Sequence, residues 1–404
     1  MATHVDTLIV GAGGIGSAAA WHLARRDAEV LLVEQNAAPA TAAPATTAGP
    51  GTPAAAPARG RHPFALVHND PVRLAMLREA LPHWHDLEVE TGRGLVHETG
   101  GVLHGFVPDF DELTERLPLF GIDAHPLDPG AAERRWPGIR FDGRVLFTPQ
   151  AGQVDAGATI EGLRESASAH GATTQMGTRV TRLRVLGDDE VSADLERVDE
   201  HGETIGEPEQ VIARRAVVAV GAWTNKLLER IIALPDMAAV RRQRSTHERL
   251  DAASGAWPVI AHHPDPASRR YRSWQGALEA VEHTGSVALT WAAAGKAVDP
   301  DAGPSRADPR QRAAAQRYVR DWLPGADAGA FTETQTTSLG TADRQFVIDR
   351  IGPVVVGAGL SERDFAFVPT IGRILADLTE YDDAPHAPAR FSLRPRRRLD
   401  AIAR

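Results

Sequence analysis

Six residues near the start of the chain, Gly11-Ala12-Gly13-Gly14-Ile15-Gly16, have the spacing with which a main chain wraps a pyrophosphate, and Glu34 stands where a carboxylate meets ribose hydroxyls. The residue types explain the chemistry. Gly11 permits a tight turn, Gly13 lets the backbone approach phosphates, and Gly16 lets a following helix pack close, with Gly14 and Ile15 completing the turn. The helix that begins there points the positive end of its dipole at the anion. The elements needed to position these residues are legible. Residues 6–10 (DTLIV) read as a buried strand, 17–26 as an apolar-periodic helix, and 29–33 as a second strand ending in Glu34. A βαβ dinucleotide fold follows.

Length and composition bound the rest. A chain of 404 residues exceeds what one hydrophobic core usually supports, so two domains are expected. A net charge of −9 argues against a nucleic-acid or anionic-membrane partner. No secretory signal precedes the first strand and no apolar run has membrane-spanning length, so a cytoplasmic monomer acting on a small molecule is expected. The chain has no cysteine, which excludes disulfides, thiolate metal ligands and a thioether-linked cofactor. Lys226 and Lys296 are its only lysines. No metal is expected, because the one His-x-His beside an acid, His83 to Asp86, lies in a predicted helix where residues two apart do not share a face.

Residues 37–60 are Ala, Pro, Thr and Gly, too poor in large apolar side chains to offset ordering entropy, and read as a flexible loop. Apolar spacing predicts helices over 71–91, 110–120, 154–170, 309–322 and 370–379. Strands are predicted at 101–106, 179–186, 215–220, 259–262, 270–274, 286–291, 346–349 and 354–356. This order implies an α/β architecture with a discontinuous Rossmann-like domain (1–92, 148–232 and 341–404). A second, α+β domain on an antiparallel sheet takes 93–147 and 233–340.

The order of motifs resembles the D-amino-acid-oxidase family of FAD-dependent oxidoreductases, in its monomeric sarcosine oxidase and N-methyltryptophan oxidase branch. The stretches that carry the likeness are Gly11 to Gly16 with Glu34, then ERRWPG from Glu133, VAVGAWTNKLL from Val218, DRQFVID from Asp343, and VVGAGLSERDFAFVPTIGRIL from Val355. The resemblance implies that Gly11, Gly13, Gly14, Ile15, Gly16 and Glu34 hold the adenosine diphosphate half of FAD. It further implies that Gly221, Ala222 and Trp223 line the cofactor, and that Gly359 opens a segment under the flavin ring that includes Phe365. The reactive end departs from the family. Thr336 stands where a cysteine often anchors the flavin, Ala288 where a lysine activates oxygen, and Ala292 where a cavity histidine belongs. Glu362-Arg363-Asp364-Phe365-Ala366 replaces a Gly-His-Gly-Phe-Lys motif.

Three readings follow. The first is a diverged FAD-dependent amine or amino-acid oxidoreductase with non-covalent flavin, its substrate aromatic and its pathway specialised. The second is an enzyme that has lost FAD and uses the cavity for a Pictet-Spengler-type condensation of amine and aldehyde. The third is a redox-silent binding protein. Candidate acid/base groups are His262, Tyr271, Glu333, Glu362 and Asp364, and candidate substrate contacts are Arg244, Trp274 and Trp291. Plainer readings stand beside these. His262-His263 before Pro264 fits a surface turn, the tryptophans fit a core, and the charged triplet from Glu362 fits a solvated turn.

Overall fold

Two kinds of apolar pattern, continuous runs and alternation, sort the chain into two large sheets. The computed structural model describes residues 3–36, 60–199, 201–250, 255–268, 278–283, 285–291, 295–303, 305–381 and 388–393. Of the predicted 37–60 loop only Gly60 falls within them, and Tyr271, Trp274 and the predicted 270–274 strand lie outside.

The first sheet has eight strands. At its centre Thr3–Val10 runs parallel to both Val30–Glu34 and Thr204–Val218, and Thr173–Met176 and Val354–Ala358 extend the parallel set on either side. These strands are runs of Val, Ile and Leu because both faces are covered. On one face Leu23, Leu163, Ile371 and Leu375 bring in the helices Gly14–Ala24, Ala156–Ala169 and Val368–Glu380. On the other, Leu8, Val218 and Val356 pack with Leu228 and Ile232. The helix Pro71–Thr91 spans the predicted residues and opens on a capping carboxylate, Asp70 accepting from Val72 N at 3.0 Å.

The second sheet has nine strands and is built from chain on both sides of the first. Met237–Arg249, Ser286–Trp291, Leu278–His283 and Val259–His263 are successive antiparallel neighbours. Val259–His263 then pairs in parallel with Gly101–Gly105. Alternation divides its residues cleanly. Leu278, Ala280, Leu289 and Trp291 face a core closed by Tyr318 and Val319 of the helix Pro309–Trp322. The intervening Glu279, Val281, Ala288 and Thr290 line a cavity on the other face.

Two of the longest strands, Met237–Arg249 and its partner Ala326–Thr341, run where the sequence reading places no element. Their sequences, RRQRSTHER and FTETQTTSLG, are polar on both faces, so alternation of burial exists without alternation of hydropathy. Pairing makes them strands: Met237–Arg249 against the apolar strand Ser286–Trp291, and Ala326–Thr341 against Met237–Arg249. No helix among the described residues is long and apolar enough to cross a membrane.

Candidate active site

Three parallel strands end side by side, at Val10, Val218 and Ala358, and each leads into one of the glycine turns: Gly11, Gly221 and Gly359. Ligands of open parallel sheets sit at such carboxyl ends. Gly11 turns at φ 97°, and a Cβ there would lie 2.5 Å from the Ala219 carbonyl oxygen; at Gly16 a Cβ would lie 1.8 Å from the oxygen of Gly11. Gly13 differs, since a Cβ there would meet nothing within 4 Å. The outer glycines are therefore required by the protein's own packing, while the middle one faces open space. That space adjoins the start of Gly14–Ala24, where no side chain caps the free N–H groups and no acid occupies the first turn. Glu34 closes the rim. Its Oε2 accepts from Ala12 N at 2.9 Å, and its Oε1 from Asn36 N at 2.9 Å and Nδ2 at 2.8 Å. A carboxylate so held retains acceptor capacity.

A cavity lies between the second sheet and the turn Glu362–Phe367. Its floor comes from the cavity-facing residues of four strands: Arg242 and Arg244, Glu279, Ala288 and Thr290, and Thr336. Register sets this pattern, with Thr290 directly opposite both Arg244 and Glu279, and Arg242 opposite Thr336. From above, Glu362 pairs with Arg244 and Arg363 with Glu279, tying turn to sheet. Arg242 makes no ion pair within 4 Å among the described residues, and donates to Ser338 Oγ at 2.6 Å. Arg244 Nε is buried without a hydrogen-bond partner.

The two carboxylates of this cavity are driven in opposite directions. Burial pushes Glu279 above its ordinary value, against the pull of Arg363. Burial acts on Glu362 as well, but Arg244, then His62, a hydrogen bond from Thr336 and Arg242, outweigh it and hold the carboxyl low.

With this geometry in place, the comparisons decide the family. The family model described as FAD dependent oxidoreductase matches residues 6–378. The chain belongs to this family of FAD-dependent oxidoreductases. It is similar to monomeric sarcosine oxidase from Bacillus sp. (strain NS-129), 26% identical and covering 97% of each chain. It is similar also to the peroxisomal sarcosine oxidase of Mus musculus, 27% identical over 96% of each. Among solved structures it shares its fold with NikD, an unusual amino acid oxidase essential for nikkomycin biosynthesis, with a TM-score of 0.74 and 24% identity over 96% of this chain and 98% of that one. FAD is the family's cofactor. The open space at Gly13, the uncapped helix and the rim carboxylate of Glu34 fit its adenosine diphosphate half, and the absence of cysteine excludes a thioether to its ring.

Several expected residues do gather in this oxidoreductase. Ala288, Thr336 and Glu362, placed by the family's pattern around the ring, line one cavity, and Arg244 joins them. Phe365 covers the nucleotide turn, its ring 3.3 Å from where a Gly14 Cβ would stand, and stacks on His62 at 5.4 Å. Trp223 lies in the Gly221–Trp223 turn, and its Nε1 donates to Asp301 at 2.7 Å.

Other expectations are corrected. Glu333 lies one residue out of phase with Thr334 and Thr336, so it turns to the far face and accepts from Arg312 Nε at 2.8 Å and Gln243 Nε2 at 2.6 Å. Trp291 is out of phase with Thr290 in the same way, and its ring packs edge-on to Tyr318 in the core. Asp364 closes the turn: its Oδ2 accepts from Ser361 N at 2.9 Å and Oγ at 2.7 Å, and it pairs with Arg73. The charged triplet is therefore more than a solvated turn: Arg363 is exposed in part, but it and Glu362 both line the cavity. His262 is neither a surface residue nor a cavity base. It is fully buried on the far face, 3.1 Å from Asp142 and 2.9 Å from the Tyr318 hydroxyl.

Glu279, Arg242 and Arg363 belong to the cavity but not to the predicted set. The available signal for Glu279 was an acid inside the otherwise apolar run Leu278-Glu279-Ala280-Val281. For Arg242 it was the two-residue spacing from Arg244, which strand alternation places on the same face.

Proposed function

We propose that this oxidoreductase oxidises a C–N bond of an amino acid, or of an amine derived from one, with its flavin held non-covalently. The observation that carries the reading is the pair of carboxylates in one cavity, Glu279 driven up and Glu362 driven down. Groups separated in this way divide acid/base work between them. Glu279 takes the proton from the substrate ammonium, which frees the nitrogen lone pair. Glu362 stays ionised and fixes Arg244. Arg242, which makes no close ion pair among the described residues, and Arg244, with its unpartnered Nε, receive the substrate's carboxylate through charge-assisted hydrogen bonds. When bound, FAD supplies the acceptor for the hydride that leaves the carbon bearing nitrogen. The turn Glu362–Phe367, clamped by its two ion pairs, keeps water from the reacting carbon. The charged lining, Arg242, Arg244, Glu279, Glu362 and Arg363, suits a substrate more highly charged than a simple N-methyl amine, as in a specialised biosynthetic pathway.

The test is anaerobic mixing of the flavin-loaded protein with a panel of amines and amino acids. Loss of the oxidised flavin band with at least one carboxylate-bearing amine is expected. An unchanged spectrum with the whole panel contradicts the reading.

One observation favours a second reading. Arg244–Glu362 and Arg363–Glu279 cross the space beside the turn, and such a clamp suits a cavity that no longer opens for a flavin ring. In that case Glu279 serves as general acid for condensation of an amine with an aldehyde, which forms an imine and releases water. Full activity in strictly flavin-free protein is the outcome that this reading requires.

A further inference from the structure

We propose that His104, Asp142 and His262 form a binding site for one divalent first-row transition ion, on the face of the second sheet opposite the cavity. The site is independent of the oxidation chemistry and is assembled by backbone pairing. His104 and His262 are direct partners in the parallel pairing of Gly101–Gly105 with Val259–His263. Asp142 is delivered to them by the hydrogen bond from Gly105 N to its carbonyl, at 3.1 Å. Each of the three offers one donor atom, and these atoms lie within 4.8 Å of one another.

Two observations point to an ion rather than a hydrogen-bonded cluster. The Asp142 Oδ1 atom lies 3.1 Å from His262 Nε2 and 3.4 Å from His104 Nδ1. Donor atoms around a tetrahedral ion with bonds of about 2.0–2.1 Å sit about 3.3–3.4 Å apart, so these separations match ligand-to-ligand edges. Both contacts fall short of good hydrogen-bond geometry, so His262 Nε2, Asp142 Oδ1 and both ring nitrogens of His104 lack a well-formed partner even though the Asp142 carboxylate attracts both rings. His104 is only 1% exposed, and a buried imidazole whose two nitrogens lack well-aligned partners is suited to a ligand.

The surroundings support the assignment. His262 Nδ1 lies 2.9 Å from the hydroxyl of the fully buried Tyr318, an outer contact of the kind that fixes a ligating ring's orientation. Two imidazoles and a carboxylate, with no thiolate, suit zinc or ferrous iron rather than calcium or magnesium. The Asp142 side chain is 30% exposed, which gives an entry path and leaves a coordination position for water. The imidazoles stack at 4.1 Å with 16° between their planes, so capture of the ion fans them apart by a small side-chain rotation. The bound ion braces the seam at which the antiparallel strands from the two parts of the chain meet in parallel.

The experiment is calorimetric titration of chelator-treated full-length protein with zinc chloride, with thermal unfolding measured alongside. One zinc per chain and an upward shift of Tm are expected. Asp142→Asn, at a partly exposed position, should keep the fold by circular dichroism and lose at least about 100-fold in zinc affinity, with His262→Gln as a second variant. Absence of saturable binding, or binding unchanged in both variants, overturns the proposal.

Discussion

The pyrophosphate turn and the cavity use different materials. The turn offers a ligand its main chain: uncapped N–H groups, two glycines fixed by close backbone contacts, and a third that faces open space. The cavity offers side chains, with Arg242, Arg244 and Glu279 brought together by the register of strands far apart in sequence. A turn made of backbone tolerates little change at Gly11 and Gly16, because each of these answers to a steric contact. A site made of side chains on one face of a sheet can be rewritten position by position while the ladder stays intact. This contrast accounts for a chain that keeps the family's nucleotide turn while carrying Thr336, Ala288 and Glu362 around its cavity.

Substitutions can break that comparison. The largest effect is expected at Gly16, where a methyl group would sit 1.8 Å from a carbonyl oxygen, so Gly16→Ala should cost about 3 kcal/mol or more in denaturant unfolding. Near-native stability would show that the turn is as pliable as the cavity. Next in size is Arg244→Met. It strands Glu362, whose side chain is 18% exposed, and should cost about 2 kcal/mol, with much of the loss recovered on adding Glu362→Leu. No recovery in the double variant would mean that the pair does not act as a unit.

A smaller effect separates the two carboxylates by pH. Glu279 has its folded value raised above 4.5, so its contribution is intact in acid and is lost as pH rises through that folded value. The stability of Glu279→Gln relative to the native chain should therefore increase with pH. Glu362 has its folded value below 4.5, so its contribution is present above the unfolded value and is lost as pH falls through the folded one. Glu362→Gln should show the opposite slope. Parallel slopes would remove the basis for assigning Glu279 the proton. The smallest stability effect is expected at Gly13. Gly13→Ala should change unfolding by no more than about 0.5 kcal/mol, yet weaken FAD retention, because the methyl group enters ligand space only.

The same contrast governs what can be read from the sequence. The turn was legible because its determinants are local: six residues in order, a strand before them and an acid at the end of the next strand. The helices Pro71–Thr91 and Pro309–Trp322 were legible for the same reason, each showing an apolar stripe after a capping acid. The cavity was legible only in part. Glu362 and Arg244 were found, but Glu333 and Trp291 were assigned to the wrong face, since a shift of one residue along a strand reverses every side chain. Register for Met237–Arg249 and Ala326–Thr341 comes from pairing, and neither strand carries enough apolar alternation to announce itself. His262 was misread because His-His-Pro has turn chemistry, whereas its burial follows from Gly101–Gly105, more than 150 residues away.

FAD held at the turn without a covalent link, beside a cavity lined by Thr336, Ala288 and Glu362, is the proposal on which the rest depends. The most direct test is a visible absorption spectrum of the protein after incubation with FAD and removal of the unbound fraction, followed by acid precipitation. The account predicts a flavin band that stays with the folded native chain, is diminished in Gly13→Ala, and passes wholly into the supernatant on precipitation. A colourless protein, or flavin that remains with the precipitate, would contradict it.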